Sequence, residues 1–193
     1  CIYHKIHYKL YQGTFHAKTN TIGGAMETPV VEKIYPLLYR VIKEYSKNTK
    51  ISEGEVCGIV LSLAARGLNA VNLSDKEQVD AFSMVCMEFV EDYHYVKFLV
   101  PEFSTVIVNN VVASHTLFSA ALRSQYGIPV SRTEGIALLS FAVKSGFIIF
   151  GQSAERIIMR YNPQKLCRLA NSYFYLKRYF PNEPVHKMCL MAI

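Results

Sequence analysis

Residues 131–146 read SRTEGIALLSFAVKSG, and no other stretch restricts the fold so tightly. Ser131 and Glu134 have the Ser-x-x-Glu spacing of a capping box, in which the Ser oxygen accepts from the N3 amide and the Glu reaches back to the cap amide. Gly135 to Val143 is apolar on nearly every helical face. A helix apolar all round is buried. Gly146 then supplies a residue suited to a left-handed C-cap. Ser52-Glu53-Gly54-Glu55 opens a second helix of the same design, expected to stop at Gly67. The two segments lie 79 residues apart and share only Ser, Glu and Gly; an internal duplication is one reading, and common start and stop chemistry is the favoured one. Helices 53–66 and 132–145 are expected to form a rigid core.

Other elements must surround them. Val31, Ile34, Leu38, Val41, Ile42 and Tyr45 predict a helix within 30–47, kinked or restarted at Pro36. Asp75 begins a helix to about Val90 or beyond, and Pro101 breaks the chain. Ser104–Asn109 reads as a short strand or as the lead into a helix from about Val111 to Tyr126. A helix is expected around Ala154–Tyr161. Asn162-Pro163 starts a longer one, Gln164 to about Tyr179. The end, PNEPVHKMCLMAI, reads as an irregular, partly apolar tail. In residues 1–11, Ile2, His4, Ile6, Tyr8 and Leu10 alternate with Tyr3, Lys5, His7, Lys9 and Tyr11, the period of an extended arm. Residues 12–29 read as a linker. The expected fold is mostly α: a single helical domain or two small lobes, with an extended N-terminal arm and minor β content. Its parts are a basic arm and linker (1–28), a helical core (29–180, a lobe division near 101–110) and a C-terminal tail (181–193).

Charge is divided unevenly along this chain of 193 residues. Residues 1–50 carry +5, residues 51–150 carry −4 and residues 151–193 carry +5. Basic ends rich in tyrosine point to a polyanionic partner, because cations attract phosphate and rings stack on bases. The candidate contacts are Lys5 and Lys9 in the arm, Arg40, Lys43 and Lys47 on one face of the first helix, and a C-terminal set. In that set Arg156 and Arg160 share one expected helix, Lys165 and Arg168 the next, and Lys177 and Arg178 close it. Tyr161, Tyr173, Tyr175 and Tyr179 are interleaved, with Tyr161 and Tyr175 the favoured stacking residues. A cationic helix end complementing the backbone dipole accounts equally for Lys177 and Arg178.

Other chemistries find little support. Five cysteines, an odd number with no C-x-x-C pair, are neither a disulfide framework nor a zinc ribbon. Cys57, Cys86 and Cys167 sit in apolar contexts as small core hydrophobes, which fits a reducing, intracellular setting. Cys1, His4 and His7 are spaced C-x-x-H-x-x-H, but a strand sends His4 and His7 to opposite faces. No metal, cofactor or catalytic signature is read: G-x-S-x-G, the P-loop and G-x-G-x-x-G are missing from the sequence. The run Glu91-Asp92-Tyr93-His94 reads as a solvated acidic helix end. Residues 98–122 and 135–151 are long and apolar, but Glu102, Asn109, Asn110, His115 and Lys144 interrupt them, so they read as core and no membrane is expected.

Residues 121–150, ALRSQYGIPVSRTEGIALLSFAVKSGFIIF, resemble the helix-turn-helix of winged-helix regulators. They show the same succession of helix, turn with Gly, Ser-capped helix, Gly and strand-like run. That resemblance implies a DNA-binding regulator with Arg132 at the phosphates. Against it, a recognition helix presents polar or basic side chains to base edges, and GIALLSFAV has almost none.

The expectation is therefore a non-enzymatic, nucleic-acid-binding structural protein, nucleocapsid- or coat-like, that contacts the backbone without reading sequence. RNA is favoured over DNA, and a virion component is one setting that fits. Self-association would use the N-terminal arm and the C-terminal tail. The acidic middle, with Asp75, Glu77, Asp80, Glu88, Glu91 and Asp92, would meet a neighbour's basic end. The alternatives are the winged-helix regulator and an adaptor for an acidic protein.

Overall fold

The computed structural model describes residues 74–127, 129–152 and 157–193, with Lys47, Ser52, Gly54, Glu55 and Asn72 as single positions. The side chains of residues 152, 157 and 158 are outside that description. The expected N-terminal arm, the helix over 30–47 and most of the helix over 53–66 also fall outside it. The fold is mostly α. The chain divides into two compact units, Cys1–His94 and Tyr95–Ile193.

In the first unit the opening of the second predicted capped helix is present. The Glu55 amide donates to Ser52 Oγ at 3.2 Å, the Ser52 amide donates to Glu55 Oε2 at 3.4 Å, and Gly54 and Glu55 are helical. Helix α1 runs Lys76–Leu99 and so extends past Val90 across the unit boundary. Asp75 starts it, with its Oδ1 accepting from the amides of Glu77 at 3.0 Å and Gln78 at 3.3 Å. Within the first unit Phe82, Val85, Cys86, Phe89, Val90 and Tyr93 are buried. The acidic run 91–94 corrects an expectation: it sits inside α1, and Asp92 is buried rather than solvated. Asp92 follows Val85 and Phe89 by seven and three residues, which puts it on the buried face. It is not available to a neighbour's cations.

The second unit opens with the end of α1, which stops two residues before Pro101. Lys97 Nζ closes that end by donating to the carbonyls of Pro101 at 3.2 Å and Phe103 at 3.0 Å. Helix α2 spans Thr105–Tyr126. Ser104 caps it, with its Oγ accepting from the Ile107 amide at 3.4 Å, and Gly127 ends it at φ +65°. Residues 105–109 are therefore helical, which settles the strand-or-helix choice in favour of one long helix. Among the described helices, α2 is the one long and apolar enough to cross a membrane by length and composition. Asn110, Ser114 and His115 are buried along it, as befits a core helix with polar groups to place.

Helix α3, Arg132–Lys144, is the helix expected from the capping box, and both reciprocal bonds of the box form. At its end Gly146 is left-handed, its amide donating to the Val143 carbonyl at 3.0 Å while the Phe147 amide donates to Ala142 at 2.8 Å. This pair of bonds is the Schellman motif. Every residue from Glu134 to Ala142 is buried, because α2, α4, α5 and β1 all pack against this helix.

Strands β1, Ile148–Gln152, and β2, Ile157–Tyr161, form an antiparallel hairpin with Ile148 opposite Tyr161 and Phe150 opposite Met159. Within the helix expected over 154–161, residues 157–161 are thus corrected to a strand, and residues 154–156 lie outside the described residues. The β-branched pair Ile157-Ile158 suits a pleat, and FIIF just upstream supplies its partner. Helix α4 runs Pro163–Tyr179 and helix α5 runs Val185–Ala192. The irregular tail is likewise corrected: α5 is helical and buries Met188 and Cys189, leaving Leu190, Met191 and Ile193 exposed.

Candidate nucleic-acid interface

Helix α4 begins where Asn162 Oδ1 accepts from the Lys165 amide at 3.1 Å. Pro163 occupies the first turn, where its missing N–H costs nothing. Apolar residues recur at helical spacing, so Leu169, Ala170 and Tyr173 are buried with Leu166 and Leu176 half-buried beside them. The opposite side exposes Lys165, Arg168, Asn171, Ser172, Tyr175, Arg178 and Tyr179. No Asp or Glu occurs anywhere in α4.

A buried carboxylate sets the roll of this helix. Glu134 Oε2 accepts from its own cap amide, Ser131, at 2.8 Å. Its Oε1 accepts from Tyr173 Oη at 2.9 Å and pairs with Lys177 Nζ at 2.5 Å. Burial works to raise the Glu134 carboxyl, but Lys177, the Ser131 amide and the Tyr173 hydroxyl outweigh it and hold the group below the usual carboxylate range. Burial and the adjoining carboxylate push the Tyr173 hydroxyl well up. Burial, with Glu134 nearby, pushes the Cys189 thiol up to about 12. These groups are closely packed, so they serve as an anchor: with Tyr173 and Lys177 tied to α3, the other side of α4 must face outward.

The acids of the second unit are largely consumed locally. It holds eleven Lys and Arg against four Glu, a net +7, leaving −1 for the first unit. Glu102 pairs with Lys144 at 2.9 Å, Glu134 with Lys177, and Glu183 with Lys187 at 2.8 Å. The fourth, Glu155, lies outside the described residues. Lys165, Arg168 and Arg178 on α4, with Arg123 on α2 and Arg160 on β2, are exposed and have no carboxylate partner among the described residues.

The structure brings four of the sequence-derived candidates onto one face: Lys165, Arg168, Tyr175 and Arg178. Lys165 Nζ also lies 5.5 Å from the Phe147 ring centroid, a cation–π contact that leaves its charge in place. Other candidates go elsewhere. Lys177 turns inward to Glu134. Arg132 is half-buried at the start of α3. Arg160 is exposed on the hairpin opposite Ile149. Tyr161 lines an apolar groove of about 350 Å³ shared with Leu117, Leu122, Tyr126, Met159 and Leu166. Lys47 is an exposed helical residue of the first unit. Lys5, Lys9, Arg40, Lys43 and Arg156 lie outside the described residues.

Tyr179 completes the α4 face and was not among the favoured residues. Its ring centroid lies 4.5 Å from that of Tyr175, tilted by 44°. The spacing of four from Tyr175 is the signal that could have found it. Asn171, Ser172 and Arg123 also reach solvent without having been singled out. Chemically, the face offers cations for phosphate, two rings for stacking, and an amide and a hydroxyl for hydrogen bonds.

Helix α2, the turn, α3 and the hairpin follow in the order that the winged-helix resemblance implies. Within α3, however, exposure is confined to Thr133 and Lys144 near its two ends. Comparison with protein-family models, with curated proteins and with solved structures finds no match for this chain.

Proposed function

We propose that this chain is a structural nucleic-acid-binding protein that grips the phosphate backbone without reading sequence. One observation carries the proposal: the unit with a net +7 contains a helix with no acidic residue, whose solvent side sets Lys165, Arg168 and Arg178 beside Tyr175 and Tyr179. At 1.5 Å of rise per residue, Lys165 and Arg178 stand about 20 Å apart along α4. Contacts of this kind fix register on a backbone but carry no sequence information. Coat-like self-association belongs to the same proposal, through the N-terminal arm and the exposed residues of α5.

Replacing Lys165, Arg168 and Arg178 together with Ala tests the reading by titration against random-sequence RNA and DNA over a salt series. Affinity should fall for every sequence alike, and the dependence of log K on log salt should flatten by roughly 2 to 3, about one per lost phosphate contact. Unchanged affinity and slope would remove α4 from the interface.

A further inference from the structure

We infer that the α4 face selects single-stranded over double-stranded nucleic acid, with Tyr175 and Tyr179 as the selecting residues. The inference rests on the nucleic-acid reading above and goes one step past it.

Tyr175 and Tyr179 are 61% and 57% exposed, so more than half of each residue faces water. Their rings contact each other at 4.5 Å between centroids, and each helps fix the other. An apolar ring held in solvent by a neighbouring ring is a ready stacking surface. Cations lie on the same face, with Arg178 between the two tyrosines in sequence and Arg168 two helical turns before Tyr175. A strand whose phosphates meet those cations would carry its bases past the rings.

The duplex and the single strand differ at this point. In a duplex, the base faces are already stacked on one another and a side chain cannot reach them without unstacking. In a single strand, every base offers a free π-face, and stacking on an aromatic side chain is insensitive to base identity. The cations serve both forms through phosphate, whereas the rings serve the single strand alone. Asn171 and Ser172 add hydrogen-bonding groups without charge, which neither form excludes. On this helix charge therefore supplies affinity for both forms, and the tyrosine pair supplies the preference.

Fluorescence anisotropy of the full chain with a labelled 20-nucleotide single strand and the matching duplex, at one salt concentration, tests this. The single strand should bind about tenfold tighter or more, given the usual worth of base–aromatic stacking. Tyr175→Ala/Tyr179→Ala should remove that preference by weakening the single strand while leaving the duplex within about twofold. Tyr175→Phe/Tyr179→Phe keeps the rings and should keep the preference. Because both residues are exposed, circular dichroism should show the fold intact in all variants. Equal loss for both forms, or no loss for the single strand, would overturn the inference while the nucleic-acid reading stands. If the wild-type chain binds neither form, it is the nucleic-acid reading that fails.

Discussion

Helices α3 and α4 belong to the same compact unit, both carry side-chain N-caps, and they are joined through Glu134, yet they spend their surfaces in opposite ways. In α3 the nine residues 134–142 are buried without a break. In α4 only Leu169, Ala170 and Tyr173 are buried, and a broad polar stripe faces water. An all-apolar helix can be satisfied only by neighbours on every side, so it becomes the centre of a core and has nothing left to offer a partner. An amphipathic helix is satisfied on one side and leaves the other free. The lesson concerns where recognition can sit. The helix that stands in the recognition position by order along the chain is the one least able to reach a groove, and its neighbour has the chemistry.

The comparison would break most sharply at Glu134, the joint between the two helices. Glu134→Ala removes the half of the capping box in which the carboxylate accepts from the Ser131 amide, and leaves the Tyr173 hydroxyl buried without its acceptor. A loss of about 3 kcal/mol is expected, from about 1 for the lost bond to the Ser131 amide and about 2 for the orphaned hydroxyl. The half-exposed Lys177 can rehydrate and adds little. Urea denaturation checks this. Glu134→Gln keeps an acceptor and should lose less. The same carboxylate also gives a pH signature. Its folded pKa lies below the unfolded one, so its stabilisation is complete above about pH 4.5 and is lost as pH falls through the lowered value. The Gln variant should show a shallower loss of stability in that acid window than wild type does.

A smaller effect is expected where α3 meets α2. A Cβ at Gly135 would lie 2.0 Å from Ser119 Oγ and 3.4 Å from Ser119 Cβ. Gly135→Val should therefore cost about 2 kcal/mol by overpacking, and Ser119→Ala in the same chain should recover part of it. A matching Val at Ser172, on the exposed side of α4, should change stability far less. If the two substitutions cost the same, the contrast between a closed and an open helix is wrong.

The smallest effect should come from the surface. Lys144→Ala breaks an exposed ion pair with Glu102, and such pairs are screened by water and salt. The denaturation midpoint should not move measurably. A clear shift would mean that the end of α3 is held more tightly than its exposure suggests.

Much of the fold was legible because its signals are local. Ser131 and Glu134, Asn162 and Pro163, Asp75, and Gly146 each act on backbone groups within a few residues, so a linear reading finds them. The elements that were misread depend on distant partners. Residues 157–161 form a strand because 148–152 lie alongside, and residues 185–192 are helical where α3 and α4 receive their apolar side. The candidate site divides in the same way. The helical spacing of Lys165, Arg168, Tyr175 and Arg178 shows that they can share a face, but not that the face points outward.

The sequence by itself determined that α3 must be buried, where α3 and α4 start and stop, and that positive charge collects toward the C-terminus. These follow from side-chain hydrophobicity, capping chemistry and composition. Tertiary structure decided which cations remain available. Lys177 and Arg178 are adjacent in the chain, but a helix turns each residue 100° from the last. One therefore reaches Glu134 in the interior, and the other is left in solvent among the rings.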